Sequence, residues 1–179
     1  MFIQNIIRML RGERSNKWLV KHGCTIKENF SRGGRCFIDP SHCFLITIGR
    51  NVTMSINVTI LAHDASTAKL TGYTKIGKVD IGDNVFIGAN TTILPNVTIG
   101  KNAIIGSASV VTKNVCENMV VAGNPAKVIC SVEEYKKKNE YNMQTTKIFS
   151  EEYKMGSGIT DKMKKDMKHA VENGICYMK

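Results

Sequence analysis

Branched apolar residues recur at every sixth position along residues 81–116, and this spacing organises the chain. Cut into hexads the stretch reads IGDNVF, IGANTT, ILPNVT, IGKNAI, IGSASV, VTKNVC. Each hexad opens on Ile or Val, at Ile81, Ile87, Ile93, Ile99, Ile105 and Val111. Gly follows at Gly82, Gly88, Gly100 and Gly106, and the fifth place holds only small or β-branched residues. A period of six fits neither a 3.6-residue helix nor an alternating strand. It predicts an all-β solenoid, a parallel β-helix in which each short strand makes one side and the chain turns at a corner. The first residue of each hexad is then expected to face the axis and stack on its equivalent one coil away, at the inter-strand spacing of about 4.8 Å. Gly and Asn near the corners are expected to take up backbone conformations that cost other residues energy.

The same beat is visible around Ile48, Met54 and Ile60, and then it breaks. Residues 63–80, HDASTAKLTGYTKIGKVD, are polar and contain Gly72 and Gly77, so a loop is predicted to leave the solenoid wall there. The phrase ENMVVAGNPAKVI, with its Gly-Asn-Pro turn, closes the repeat. Three segments follow from this pattern. Residues 1–36 read as an N-terminal helical and irregular segment, residues 37–130 as the β-helix, and residues 131–179 as a C-terminal helical extension. In that extension EEYKKKNEY and ITDKMKKDMKHAVENG have helical charge spacing and are separated by Gly156-Ser157-Gly158.

Composition narrows the class of protein. The chain has 179 residues, 42% of them hydrophobic and only 7% aromatic, which suits a narrow prism with little room for rings. No apolar run approaches the roughly 20 residues of a membrane span. The start, MFIQNIIRMLRG, has no long apolar region of a secretory signal and reads as an amphipathic helix, with contact to a membrane surface as its alternative role. Six cysteines without a CxxC pair are expected to be free thiols, which agrees with a cytoplasmic location. The NVT triplets at Asn51, Asn57 and Asn96 match a glycosylation pattern but fall in the repeat, as corner residues. Formal charge is +10, with 15 Lys/Arg against 7 Asp/Glu in residues 1–130, a surface that attracts anions such as phosphorylated cofactors or nucleotide-sugars. Nucleic acid is not expected as a partner, because basic and aromatic residues are not interleaved and no DNA-binding motif is present.

Candidate chemistry centres on one histidine. His22 and His169 fall in predicted helices, and His42, in DPSHCF, lies near the start of the solenoid. His63 differs in opening the inserted loop, in the phrase ILAHDAS, at the seam of wall and loop. An imidazole there is suited to take a proton from a hydroxyl and return it later. The adjacent Asp64 either orients that ring or serves as a turn residue.

The hexads, the His-Asp at the loop start and the closing AGNPAKVI together resemble the hexapeptide-repeat acyltransferases of the left-handed parallel β-helix type. The likeness is greatest to the galactoside, maltose and capsular-polysaccharide O-acetyltransferases and covers roughly residues 37–129. It implies left-handed coils, a breach of the usual right-handed crossover, and a homotrimer with active sites between subunits. It implies acetyl-CoA as co-substrate, an O-acetyl transfer to a carbohydrate hydroxyl, and His63 as general base with Asp64 beside it. Carried over by position, the cofactor contacts fall on Ala89, Ser107, Thr112 and Lys127, to which Lys113 is added on grounds of charge. Asp39 and His42 are candidates for the acceptor pocket. No metal is expected. Other readings stay open: N-acetylation of a nucleotide-amino-sugar, a γ-carbonic-anhydrase-like zinc enzyme, which needs three His ligands, and a non-catalytic trimeric scaffold.

Overall fold

A computed structural model describes residues 12–179. The first strands form a coil that visits three parallel sheets in rotation. A short helix α1 (Asn16–Lys21), capped by the Ser15 side chain, which accepts from the Trp18 N–H, precedes them. Coil one is β1 (Thr25–Ile26), β2 (Ser31–Arg32) and β3 (Phe37–Ile38). Coil two is β4 (Ile46–Ile48), β5 (Thr53–Met54) and β6 (Thr59–Ile60). An excursion follows, containing β7 (His63–Asp64), the single-turn helix α2 (Ala68–Thr71) and β8 (Lys75–Ile76). Coil three is β9 (Val79–Ile81), β10 (Phe86–Ile87) and β11 (Thr92–Ile93), and coil four is β12 (Val97–Ile99), β13 (Ile104–Ile105) and β14 (Val110–Val111). The sheet orders β1-β4-β9-β12, β2-β5-β10-β13 and β3-β6-β11-β14 place each strand beside its counterpart in the next coil. A bridge from Val115 to Ile99, then β15 (Met119–Ala122) on β13 and the antiparallel β16 (Lys127–Ser131), end the stack.

The six-residue rule is visible in burial. Ile81, Ile87, Ile93, Ile99, Ile105 and Val111 are all at most 2% exposed. Burying each such side chain contributes about 1.5–3 kcal/mol, and the column they form is continuous. The fifth places (Val85, Thr91, Val97, Ala103, Ser109, Val115) are buried as well. The two hydroxyls among them find partners: Thr91 and Ser109 both donate to the Gly106 carbonyl, at 3.2 and 2.6 Å.

The corners divide the work between Asn and Gly differently from the sequence expectation. Asn51, Asn57, Asn84, Asn90, Asn96 and Asn102 have positive φ, between 54° and 64°, as corner residues should. The glycines of the second hexad place do not need positive φ; they need space. A Cβ on Gly88 would lie 2.5 Å from the Ser107 backbone nitrogen of the next coil. The Asn side chains also stack. Asn29, Asn51, Asn84, Asn102 and Asn118 form one ladder in which each Nδ2 donates to the next Oδ1, at 2.8–3.0 Å.

The coil starts at Thr25, earlier than the predicted boundary at residue 37, because Thr25 and Ile26 pair with Thr47 and Ile48. The cause of the discrepancy is Arg32. It stands in register with Met54, which in turn pairs with Ile87, so a cation fills a place where the pattern calls for an aliphatic residue. Arg32 is only 9% exposed and donates to the Arg14 carbonyl.

The chain divides into two compact units after Val132. The second holds most of α3 (Val132–Thr145), then α4 (Asp161–Ala170) and a two-stranded parallel sheet of β17 (Ile148–Phe149) and β18 (Tyr177–Met178). Thr160 caps α4 by accepting from the Met163 N–H, and ion pairs such as Lys137–Glu133 line α3. Among the described residues no helix is long and apolar enough to cross a membrane. The amphipathic segment at residues 1–11, with its suggested membrane contact, lies outside the described residues. All six cysteines are free. Burial, and then the neighbouring Cys43, push the Cys24 thiol up to about 12, with Arg32 opposing, so this thiol stays protonated.

Candidate active site

Both irregular segments of the solenoid leave it at one corner, the corner that follows β3, β6, β11 and β14. Stacked Asn side chains measure the excess. Regular coils repeat after 18 residues (Asn84 to Asn102), but Asn29 to Asn51 takes 22 and Asn51 to Asn84 takes 33. The shorter excursion is residues 39–45, ending in a 3-10 turn, Cys43–Leu45. The longer is residues 61–78. It rises as an antiparallel hairpin in which His63 faces Ile76 and Asp64 faces Lys75. Residues 39 and 61 are equivalent corner positions, each donating its N–H to the strand below: Asp39 to Ile60, Leu61 to Ile93. Two consecutive coils therefore place Asp39 directly against the base of the hairpin, one coil away.

That placement builds the site. The Asp39 carboxylate is fully buried. Its Oδ1 accepts from the Ser41 N–H at 3.0 Å, and its Oδ2 from the Ala62 N–H at 3.1 Å. Oδ2 also accepts from His63 Nδ1, at 2.5 Å. Burial by itself would raise the Asp39 carboxyl, but the bonds from His63, Ala62 and Ser41 together outweigh it and hold it below its ordinary value. Asp39 is thus an anion inside the wall, bound to one side of a ring that remains 32% exposed on its side chain. With Nδ1 holding the proton shared with Asp39, Nε2 is the nitrogen free to accept one. His42 stands close by, its ring 4.9 Å from that of His63 and its Nδ1 4.0 Å from Asp39 Oδ2.

Two roles read from sequence are redistributed. Asp64 does not hold the His63 ring. Its carboxylate is the acceptor for Lys75 Nζ at 2.5 Å and for the Ser66 N–H at 2.8 Å, capping the 3-10 turn that follows. Lys75 first, then Ser66, hold its carboxyl well below the usual carboxylate range. A residue next to His63 on a strand points to the opposite face, so adjacency in sequence is the wrong place to seek a ring partner. Asp39, assigned to the acceptor pocket, has no exposed surface with which to line one; it holds His63 instead. The signal that would have found it is the shared corner position of residues 39 and 61, legible only once the first coil is put in register.

The candidate cofactor residues fall on two corners. Thr112 follows β14 at the His63 corner and is exposed, as is Lys113 beside it. A cavity of about 310 Å³ at that corner is lined by Asp64, Lys75, Ile76, Leu94, Pro95 and Thr112, among others. Ala89 and Ser107 follow β10 and β13, at a different corner, one above the other. Lys127 opens β16 and is exposed. Within one chain, therefore, Thr112 and Lys113 share the His63 corner, and Ala89 and Ser107 do not.

Comparison with known proteins adds the following. Residues 78–113 match the family model described as bacterial transferase hexapeptide (six repeats). The chain is 43% identical over 111 residues to protein CapG of Staphylococcus aureus, covering 60% of this chain and 64% of that protein. It is 35% identical over 138 residues to the putative acetyltransferase YJL218W of Saccharomyces cerevisiae, covering 72% of this chain and 70% of that protein. Among solved structures it resembles galactoside acetyltransferase in complex with coenzyme A, at 29% identity and a TM-score of 0.51, over 66% of this chain and 70% of that one. The chain spans only 49–64% of the length of several of the curated relatives it matches.

Proposed function

Because the chain belongs to the hexapeptide-repeat transferases, we propose that it moves an acetyl group from acetyl-CoA to a hydroxyl of a carbohydrate, with His63 as general base. The observation that carries this reading is the pairing of a half-exposed imidazole with a buried, ionised carboxylate. The similarity to a galactoside acetyltransferase structure holding coenzyme A supports the choice of donor and acceptor class.

The proposed steps use these two groups in turn. The acceptor hydroxyl donates to His63 Nε2, and its oxygen attacks the acetyl carbonyl as the proton moves to the ring. The imidazolium so formed is stabilised by Asp39, whose anionic form is secured by Ala62 and Ser41. Collapse of the tetrahedral adduct expels the CoA thiolate, and the proton on Nε2 passes to sulfur. His63 returns to its neutral form, and Asp39 remains a carboxylate throughout. A non-catalytic scaffold would give no reason for a buried carboxylate to hold one nitrogen of a partly exposed imidazole.

Donor binding is proposed along the walls near Ala89, Ser107, Thr112, Lys113 and Lys127. The two lysines are exposed, as contacts to phosphate require. The separation of these residues between two corners supports a homotrimer, in which the His63 corner of one subunit faces the Ala89–Ser107 corner of another. Free thiols and dependence on acetyl-CoA support a cytoplasmic location.

The test is an acceptor screen with acetyl-CoA, following release of free thiol over sugars, nucleotide-amino-sugars, serine and hydroxylated antibiotics. A carbohydrate hydroxyl acceptor is expected. Turnover confined to an amine would replace the O-acetyl reading, and failure of CoA to bind in a calorimetric titration would remove the transferase reading altogether.

A further inference from the structure

We propose that Asp39, His42 and His63 form a binding site for a divalent ion of the zinc class, which takes the place of the proton that His63 and Asp39 share, shifts that proton to His63 Nε2, and so silences the His63 imidazole as a base. Each of the three residues offers one donor atom, and all three atoms lie within 4.8 Å of one another. The donor set, two imidazoles and a carboxylate, is the set that three-ligand zinc sites use, with the fourth position open. It is not the three-imidazole set of a γ-type carbonic anhydrase.

The second observation is His42 Nδ1. This atom is buried, has no hydrogen-bond partner among the described residues, and lies 4.0 Å from Asp39 Oδ2, too far for a hydrogen bond. A buried polar atom left without a partner costs free energy. A cation between His42 and Asp39 would satisfy both. Ligand atoms around a tetrahedral zinc stand about 3.3 Å apart, given bonds of about 2.0 Å. His42 must therefore approach Asp39 by less than an ångström, and Asp39 and His63 must part by a similar amount. His42 has freedom to do so: its side chain is 29% exposed and it sits on the excursion rather than on a strand.

The exchange balances. The ion takes the Nδ1 lone pair of His63 and one lone pair of Asp39, and the Nδ1 proton moves to Nε2, so the ring stays a neutral imidazole. An imidazole bound through Nδ1 and protonated at Nε2 has no lone pair left with which to accept a proton. Asp64 takes no part, because its carboxylate is held by Lys75.

The experiment uses the full chain with Cys116, Cys130 and Cys176 changed to Ser, so that accessible thiols do not compete. Titration with Zn²⁺ by calorimetry is expected to show one ion per chain. Co²⁺ is expected to bind without a sulfur-to-metal charge-transfer band. His42→Ala, shown folded by its thermal melt, is expected to weaken Zn²⁺ binding by at least about tenfold, since loss of even an outer partner of a metal site costs that much. Zn²⁺ is expected to protect His63 from carbethoxylation by diethyl pyrocarbonate, read by peptide mass spectrometry, and removal of the ion with EDTA to restore reactivity. No binding, a sulfur band, equal binding in His42→Ala, or undiminished His63 modification would each overturn the proposal. Inhibition of acetyl transfer by Zn²⁺ rests on the function proposed above. A protein that binds one ion and protects His63 but transfers no acetyl group would overturn that function and leave the metal site standing.

Discussion

His63 and Asp39 are 24 residues apart in the chain, and His63 Nδ1 lies 2.5 Å from Asp39 Oδ2. Two successive coils bring them together, each leaving the solenoid at the same corner. Activity should depend on both. His63→Ala is expected to keep the fold and the affinity for CoA while lowering kcat by about 10²–10⁴. Asp39→Asn keeps the ring but removes the charge that stabilises its protonated form, so a smaller loss of kcat with little change in KM is expected. Steady-state kinetics on the identified acceptor check both, and a His63→Ala enzyme retaining more than about a third of kcat would place the base elsewhere.

Stability should carry its own record of Asp39. Its carboxyl is lowered in the fold, by bonds from His63, Ala62 and Ser41 that outweigh the upward push of burial. A group lowered on folding contributes stability above its unfolded value, and the contribution is lost as pH falls through its folded value. Asp39→Asn is therefore expected to be less stable than the parent at neutral pH, with the gap closing below the ordinary carboxylate range. Urea denaturation at a series of pH values would measure this, and a gap independent of pH would mean that the carboxylate charge is not what stabilises the corner.

The core column gives a second stability prediction. Ile99 is 1% exposed, pairs in register with Ile81 on β9, and receives the bridge from Val115. Ile99→Ala is expected to cost about 2–5 kcal/mol, the range for a large-to-small change in a packed interior. Equilibrium unfolding in denaturant checks it, and a variant as stable as its parent would contradict inward stacking of the hexads.

One substitution should stabilise. Ala108 has φ 57°, a conformation that costs alanine more than asparagine or glycine. It occupies the corner one coil beyond Asn90, whose Oδ1 accepts from Asn57 Nδ2 at 3.0 Å. Ala108→Asn both relieves the backbone and extends that ladder by one rung. A gain of about 1 kcal/mol is expected. A thermal melt no higher than the parent's would show that the ladder adds nothing here.

The repeat was legible because a solenoid is a local object. A residue and its axial neighbour are related by a fixed step, so the inward places of Ile81 through Val111 follow from spacing alone, and so do the corner places of Asn84, Asn90 and Asn102. The place of His63 at the start of an excursion followed equally from the break in the beat. Where a residue of the wrong type took a repeat place, the spacing failed: Arg32 in an axial register hid the first coil.

What the chain determines by itself is the coil, the axial column and the position at which the wall is interrupted, because these depend on period and residue type within a few turns. The partner of His63 was decided by tertiary structure. Asp64 is the neighbour along the strand, but alternate residues on a strand face opposite ways, and Lys75 across the hairpin claims it. Asp39 is the neighbour one coil away, and only stacking, with Ala62 and Ser41 to hold the carboxylate and burial to keep water from it, turns that distance along the chain into a hydrogen bond.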